Sequence, residues 1–187
     1  FFHLIKYGKT KVTLKKAKTV ECGIAKHNGD SKWITSVASR TEVHQRSHTH
    51  YAILVGVQTV LHDNPYLTTR LPHGGKNPIR IILDRHLRTP QTANVITDGA
   101  VETIIFTANV ITDGAVETII FTLDSVKIEP AFLAYPLVTM ESISEEVDFL
   151  EEVLTRLANK GIMTLFVEGG SRVHTSFINA QLADELY

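Results

Sequence analysis

Apolar residues fall in short runs separated by polar, glycine-rich or proline-rich stretches, and one later segment carries a helical stripe. Ala52-Ile-Leu-Val55, Ile79-Arg-Ile-Ile-Leu83 and Met163-Thr-Leu-Phe-Val167 have strand length. Near-continuous apolar runs of this kind suit strands covered on both faces. Val12–Val20 alternates instead, with Lys15, Lys16 and Lys18 interleaved, and predicts a first strand. Ser142–Lys160 predicts the best helix, with Val147, Leu150, Val153, Leu154 and Leu157 on one face. Ser142 and Glu145 have capping-box spacing there, and Lys160-Gly161 closes the end. Val57–His62 predicts a turn or two of helix, stopped by Asp63-Asn64-Pro65, and Tyr66–Arg70 reads as a loop. Trp33–Ser36 leads into a further helix that Ser36 or Ser39 can cap. Val126–Val138 reads as a weaker strand region broken by Pro130 and Pro136, and Phe1–Lys11 shows no clear period. Strands alternating with helices indicate an α/β domain.

One feature interrupts this rhythm. Thr92–Phe106 (T-A-N-V-I-T-D-G-A-V-E-T-I-I-F) recurs letter for letter as Thr107–Phe121. Solenoid repeats diverge and need more than two copies, so identity here marks a recent duplication, an engineered insertion or an error in the sequence. Each copy predicts a short segment, an Asp-Gly turn and the strand Val-Glu-Thr-Ile-Ile-Phe. One strand is enough for a sheet; the other would extend a loop or hairpin, at small closure cost.

Composition narrows the classes. At 187 residues, 43% hydrophobic and 21% charged, the chain is an ordinary globular domain with a sizeable core. A net charge of −1 gives no global pull toward nucleic acid or anionic membrane, and no apolar run approaches spanning length. The single Cys22 excludes an internal disulfide and a cysteine-rich zinc site, which suits a reducing cytoplasm. His44, His48 and His50 lack an intervening Glu and a companion cysteine, so they read as surface histidines rather than metal ligands.

Candidate chemistry gathers where strands end. After Val167 come Glu168, Gly169 and Gly170, then the first turns of a helix from Ser171. A helix that starts straight after a strand aims free N–H groups and a positive dipole end into the crevice beyond the sheet, and glycine lets a phosphate approach that backbone. The spacing is not G-x-G-x-x-G, so a Rossmann dinucleotide site is not implied. Ser31 and Trp33 follow the first strand, and Asp63, Leu67 and Arg70 follow the second. Arg70 suits a phosphate because its planar fork bonds two oxygens at once, and Trp33 offers a flat face to a heteroaromatic ring. No nucleophile elbow and no zinc-deaminase signature is present. A phosphate cradle without a nucleophile or metal suggests that a cofactor supplies the chemistry.

Several blocks occur in one order: Gly29-Asp-Ser-Lys-Trp-Ile-Thr35, Ala52-Ile-Leu-Val-Gly56 with Thr59-Val60, Asp63-Asn-Pro-Tyr-Leu-Thr-Thr-Arg70, Pro78-Ile-Arg-Ile-Ile-Leu-Asp84, and Val167-Glu-Gly-Gly-Ser171 with Asp184-Glu185-Leu186. Together they resemble the reductase domain of the bacterial bifunctional riboflavin-biosynthesis deaminase/reductase, from about Val12 to Tyr187. The resemblance implies a dihydrofolate-reductase-like α/β fold, a central mixed but mostly parallel sheet flanked by helices. It implies NADPH as hydride donor and 5-amino-6-(5-phosphoribosylamino)uracil as substrate, its ribosyl group reduced to ribityl. By matching position, Ser31, Leu67, Arg70 and Glu168 would contact this phosphorylated ribosylaminopyrimidine. Ala17, Trp33, Thr59, Asp63 and the turn Gly170, Ser171, Arg172, Val173, His174, Thr175 and Ser176 would contact NADPH. Lys15 occupies the position of the lysine near the reacting carbon. A homodimer in the cytoplasm, with neither nucleic acid nor membrane as partner, is the implied setting.

The chain also departs from the pattern. Ser47 stands where the family's phosphate-holding arginine is expected, with Arg46 one place earlier and so about 100° around a helix. Glu21-Cys22-Gly23 replaces an Asp-Gly-Lys turn, and the closing strands expected after Asp184-Glu-Leu-Tyr187 are missing. Residues 1–11 read as a lead-in from an absent zinc-deaminase domain, with the reductase domain over 12–187, so this chain alone would not deaminate. Two rival readings remain: a diaminopyrimidine or pteridine reductase of the same fold, and a nucleotide-binding module without catalysis.

Overall fold

The computed structural model describes residues 2–15, 49–69, 76–98 and 117–187. Among these, seven strands form one sheet: β1 (Lys11–Leu14), β2 (Ala52–Gly56), β3 (Ile79–Leu83), β4 (Thr118–Leu123), β5 (Val138–Ile143), β6 (Thr164–Val167) and β7 (Glu185–Leu186). Their order across the sheet is β5-β4-β3-β2-β6-β1-β7. Every pairing among the described residues is parallel, which is the parallel part of the sheet expected from the sequence.

Parallel strands need both faces covered, and the apolar runs supply both. One face carries Val12, Leu14, Leu54, Ile81, Ile119, Phe121, Leu165 and Val167. The stripe Leu150, Val153, Leu154 and Leu157 of α4 (Phe149–Asn159) packs there, with Phe177 of α5 (Ser171–Asn179). The other face presents Val55, Ile82 and Ile120 to Val60 of α2 (Val57–Asp63), to Val95 and Ile96 of α3 (Asn94–Thr97), and to Phe132 in a 3-10 turn over Pro130–Ala134. None of the described helices is long and apolar enough to cross a membrane.

Several boundaries differ from the sequence-based expectations. β1 covers only Lys11–Leu14, not Val12–Val20; Lys15 follows its end, and residues 16–20 lie outside the described set. Phe2–Tyr7 forms a short helix, α1, where the sequence showed no clear period. The region 126–138 is not a strand: the prolines bend it into the 3-10 turn, and the strand starts only at Val138. Consequently Ser142 belongs to β5, and the Ser142–Glu145 capping box does not form. Asp148 caps α4 instead, its carboxylate accepting from the amides of Leu150 and Glu151 at 3.0 and 2.9 Å. Val147 lies before the helix and is exposed, outside the stripe. Both Asp148 and Ser142 can cap; the ladder from β4 takes Ser142 first, since it pairs with Thr122.

Of the duplicated segment, residues 92–98 and 117–121 are among those described. The first copy supplies α3, and Asp98 just after it forms a two-pronged ion pair with Arg80, whose side chain is fully buried. The second copy supplies β4, with Thr118 to Phe121 all buried. Asp184 accepts from the amide of Val12 at 2.7 Å, and Lys11 pairs with Glu185 at 2.6 Å, so the last motif ties β7 to β1.

At the opposite edge, Glu141 of β5 meets Lys160 at 2.9 Å and Arg156 at 3.0 Å, and the Arg156 guanidinium also donates to the Ser142 carbonyl at 2.9 Å. Burial alone would raise the Glu141 carboxyl, but these two cations outweigh it and hold it below the ordinary carboxylate value. A lowered folded-state pKa contributes stability above the unfolded value and loses it as the pH falls through the folded one. In acid titrations followed by urea unfolding, Glu141→Gln is expected to remove part of the acid-side loss. At neutral pH it should cost about 0.5–1 kcal/mol, allowing for solvent screening at this partly exposed edge.

Candidate active site

The order β2-β6-β1 places β6 between two strands that precede it in the chain. The helix leaving β2 packs on one face and the helix leaving β6 on the other. A crevice therefore opens at the carboxyl ends of these strands, where connections diverge, the usual ligand position in open parallel sheets.

Parallel register decides what meets there. Leu14 pairs with Val167, so the next residues, Lys15 and Glu168, emerge side by side. The Lys15 amide donates to the Val167 carbonyl at 3.0 Å, and the Glu168 amide donates to the Leu54 carbonyl at 2.9 Å, which holds both backbones. The Lys15 ammonium lies 3.3 Å from Glu168 Oε1, with side chains 26% and 20% exposed. This is an ion contact without hydrogen-bond geometry, and the buried Oε1 has no donor aimed at it. The pair thus joins a partly desolvated cation to a carboxylate oxygen that still has acceptor capacity.

The start of α5 forms the adjoining wall. Gly170 is its N-cap, with no side-chain cap, and a Cβ there would meet nothing within 4 Å. The amides of Gly170, Ser171, Arg172 and Val173 precede the first possible intrahelical bond, and His174 is the first to donate within the helix, to the Gly170 carbonyl at 3.2 Å. The free amides of an anion site are thus those of 170–173. Thr175 and Ser176 lie one turn on, and the Ser176 hydroxyl donates to the Arg172 carbonyl at 3.0 Å. Gly169 has a different part from Gly170. A Cβ on it would come within 2.5 Å of the Val173 side chain, and one on Gly56 within 2.7 Å. Val173 is wedged onto the ends of both β2 and β6, which holds the open end of α5 over the crevice. The resemblance singled out Gly170, but the packing role of Gly169 depends on how the helix after β6 meets β2 and β6 and was not read from sequence.

On the far side, Thr59 is half-buried on α2 and Asp63 ends that helix. Asn64 follows in the left-handed region with φ 40°, and Leu67 has φ 51°, an uncommon conformation for a branched residue. Asn94 donates twice to Asn64: its amide to Asn64 Oδ1 at 2.8 Å and its Nδ2 to the Asn64 carbonyl at 2.7 Å. This pair of bonds anchors the loop carrying Asp63 and Leu67 to the first repeat copy. Ala17, Ser31, Trp33, Arg46 and Arg70 lie outside the described residues, as do Ser47, His44 and His48. A second cleft of about 450 Å³ opens beyond β3 and β4, between His86 and Phe132; it holds none of the residues selected from sequence.

The sequence model of the RibD C-terminal domain matches residues 10–187. The chain belongs to that family. It is 42% identical over 187 residues to the riboflavin biosynthesis protein RibD of Bacillus amyloliquefaciens, covering 100% of this chain and 47% of the relative. A diaminohydroxyphosphoribosylaminopyrimidine deaminase/5-amino-6-(5-phosphoribosylamino)uracil reductase from Thermotoga maritima has a similar structure. It superposes with a TM-score of 0.76 at 32% identity, over 100% of this chain and 46% of that one. Acinetobacter baumannii RibD gives a TM-score of 0.79 at 24% identity over 47% of its length, which bears on the fold. The chain spans about half the length of the curated relatives it matches. The RibD C-terminal domain is thus the dihydrofolate-reductase-like α/β sheet expected from the sequence blocks.

In this RibD-family crevice the two Val173 contacts give a stability test. Gly169→Ala and Gly56→Ala should each cost about 1–3 kcal/mol in urea unfolding, because a methyl cannot enter without moving the helix. Gly170→Ala should cost about 1 kcal/mol or less, the ordinary loss at an N-cap.

Proposed function

We propose that the chain is an NADPH-dependent reductase of riboflavin biosynthesis. In this reading it reduces the ribosyl group of 5-amino-6-(5-phosphoribosylamino)uracil to ribityl. The observation that carries the proposal is the Lys15–Glu168 pair beside the uncapped start of α5. Membership of the RibD C-terminal family and the reductase activity named for the T. maritima protein support it.

The residues present fit a dinucleotide. The open space at Gly170 and the free amides through Val173 would hold its pyrophosphate, with the helix dipole favouring the negative charge. Ser171, Arg172, His174, Thr175 and Ser176 would line that end, and Thr59 and Asp63 the opposite wall. Ala17 and Trp33 join this set on sequence alone. Bound NADPH would supply the hydride to ribose C1′.

The chain's own contribution is orientation and proton handling. Glu168 holds the Lys15 ammonium at the strand ends and offers Oε1 to a substrate N–H or O–H, which would satisfy a buried acceptor. The ammonium would donate a proton to the substrate atom gaining the electron pair, or stabilise the charge that develops on it. Leu67, held with positive φ, would bound the substrate side, and Ser31, Arg46 and Arg70 would meet its polar and phosphate groups. Subunits paired as a homodimer in the cytoplasm complete the reading.

Steady-state NADPH oxidation with the aminouracil phosphate tests the assignment. Lys15→Met should lower kcat/KM about 10²–10⁴-fold while NADPH binding persists. Turnover at the wild-type level in that variant would remove Lys15 from the chemistry. Gly170→Ala should weaken NADPH binding at least about tenfold, the loss of roughly 1.4 kcal/mol that displacing a phosphate from its amides implies. Glu168→Gln should raise KM for the substrate more than it changes the NADPH Kd.

A further inference from the structure

One asparagine serves the ends of two helices at the wall of the crevice. Asn64 closes α2: its backbone turns left-handed, with φ 40° and ψ 55°, and its amide donates to the Val60 carbonyl at 3.0 Å. Asparagine takes that conformation more readily than most residues with a Cβ. The same residue also opens α3. Ala93 stands at the N-cap of α3 and brings no side chain to cap it. The Asn94 amide, at the first position of α3, finds its acceptor in Asn64 Oδ1 at 2.8 Å instead. Asn94 Nδ2 then donates to the Asn64 carbonyl at 2.7 Å, a helix-end acceptor that needs a donor from outside α2.

Although α3 has only 4 residues, it is a firm base for this clamp. Val95 and Ile96 are buried, the Thr118 hydroxyl of β4 donates to the Val95 carbonyl at 2.8 Å, and Asp98 pairs with the enclosed Arg80 of β3. The loop after Asn64 needs such a base. Leu67, with φ 51°, packs its side chain on the cluster that holds Val60, Val95 and Ile96. Two left-handed residues so close together, neither of them glycine, are unfavourable in a free loop. At the other end of the loop the Thr69 amide donates to Asn77 Oδ1 at 2.8 Å, and the Thr69 hydroxyl to the Lys76 carbonyl at 3.0 Å. Asp63 adjoins the first clamp, and Leu67 lies between the two.

We infer that Asn94 is a positioning residue of the candidate site: through Asn64 it holds the loop 63–69 in its ligand-ready shape, so that Asp63 and Leu67 are set before cofactor or substrate arrives. Which ligands feel the loop rests on the reductase reading above; the clamp itself belongs to the free chain. Asn94 acts through Asn64 and takes no part in the hydride step. A preformed loop spares binding the cost of ordering it, so loosening the clamp weakens affinity and leaves turnover at saturation alone.

Asn64 is exposed and Asn94 half-buried, so variants there should fold and melt within about 5 °C of the parent. Asn94→Ala loses the bond to the Asn64 carbonyl. Asn64→Gly loses the acceptor for the Asn94 amide but keeps a residue suited to the left-handed turn. Each should raise KM for the aminouracil phosphate and Kd for NADPH about three- to tenfold, with kcat within about twofold of the parent. In the chain without ligand, chymotryptic cutting after Tyr66 or Leu67, read by fragment mass, should quicken by about the same factor, since it follows the open population of the loop. Asn64→Asp retains both the acceptor and the tolerance of a left-handed backbone, and should return every value to within about twofold of the parent. The inference is overturned if Asn94→Ala and Asn64→Gly leave cutting of the loop unchanged. Faster cutting with KM and Kd unmoved overturns it equally, as does a fall in kcat without a rise in KM. Should the parent itself fail to oxidise NADPH with the aminouracil phosphate, the reductase reading falls, and cutting of the loop alone decides whether Asn94 holds 63–69.

Discussion

The insertion of β6 between β1 and β2 is the constraint on which the crevice depends. Its ladder runs to both neighbours at once, with Leu165 paired to Val12 on one side and Ala52 on the other. Since the strands are parallel, their carboxyl ends finish together. That common finish sets Lys15 beside Glu168 and delivers α5 over the gap. The side chains that follow the strands then need little further positioning, because backbone bonds at Lys15 and Glu168 extend the ladder one residue beyond each strand.

Close packing turns this topology into a shaped site. Val173 fills the space left by two absent Cβ atoms, at Gly56 and Gly169, and so fixes the axis of α5 relative to two strands. Gly170 is left to face the crevice. Polar satisfaction works in the same direction: the amides of 170–173 have no intrahelical acceptor, and Glu168 Oε1 is buried without a donor. A site whose unmet donors and unmet acceptor face one gap is suited to a ligand with both an anionic group and a hydrogen-bond donor. A phosphorylated aminouracil beside a dinucleotide has that character.

The described parts of the duplicated segment are held by apolar burial and backbone bonds. The head of one copy and the tail of the other are in contact through the bond from Thr118 to Val95. Arg80 shows how a buried charge reinforces that contact, since it is fully enclosed and takes its carboxylate from the first copy. Exposed polar contacts, such as Lys9 with Glu151, add little by comparison.

Much of the architecture was legible in the chain. Apolar runs at 52–55, 79–83 and 163–167 are strands because they can be buried on both faces, and the stripe from Leu150 to Leu157 is a helix because it repeats at 3.6 residues. The corner at 168–170 was visible as strand, glycine pair and helix. Boundaries were less so: Ser142 and Asp148 are both good caps, and only pairing with β4 removes Ser142 from the choice. Strand order was not legible, since parallel ladders are made by backbone groups common to every residue and the apolar strands resemble one another. For that reason Lys15 and Glu168 could be picked out separately from sequence, but their contact was decided by tertiary structure alone. The same holds for the repeat, whose copies are identical as sequence and differ only in what lies next to them.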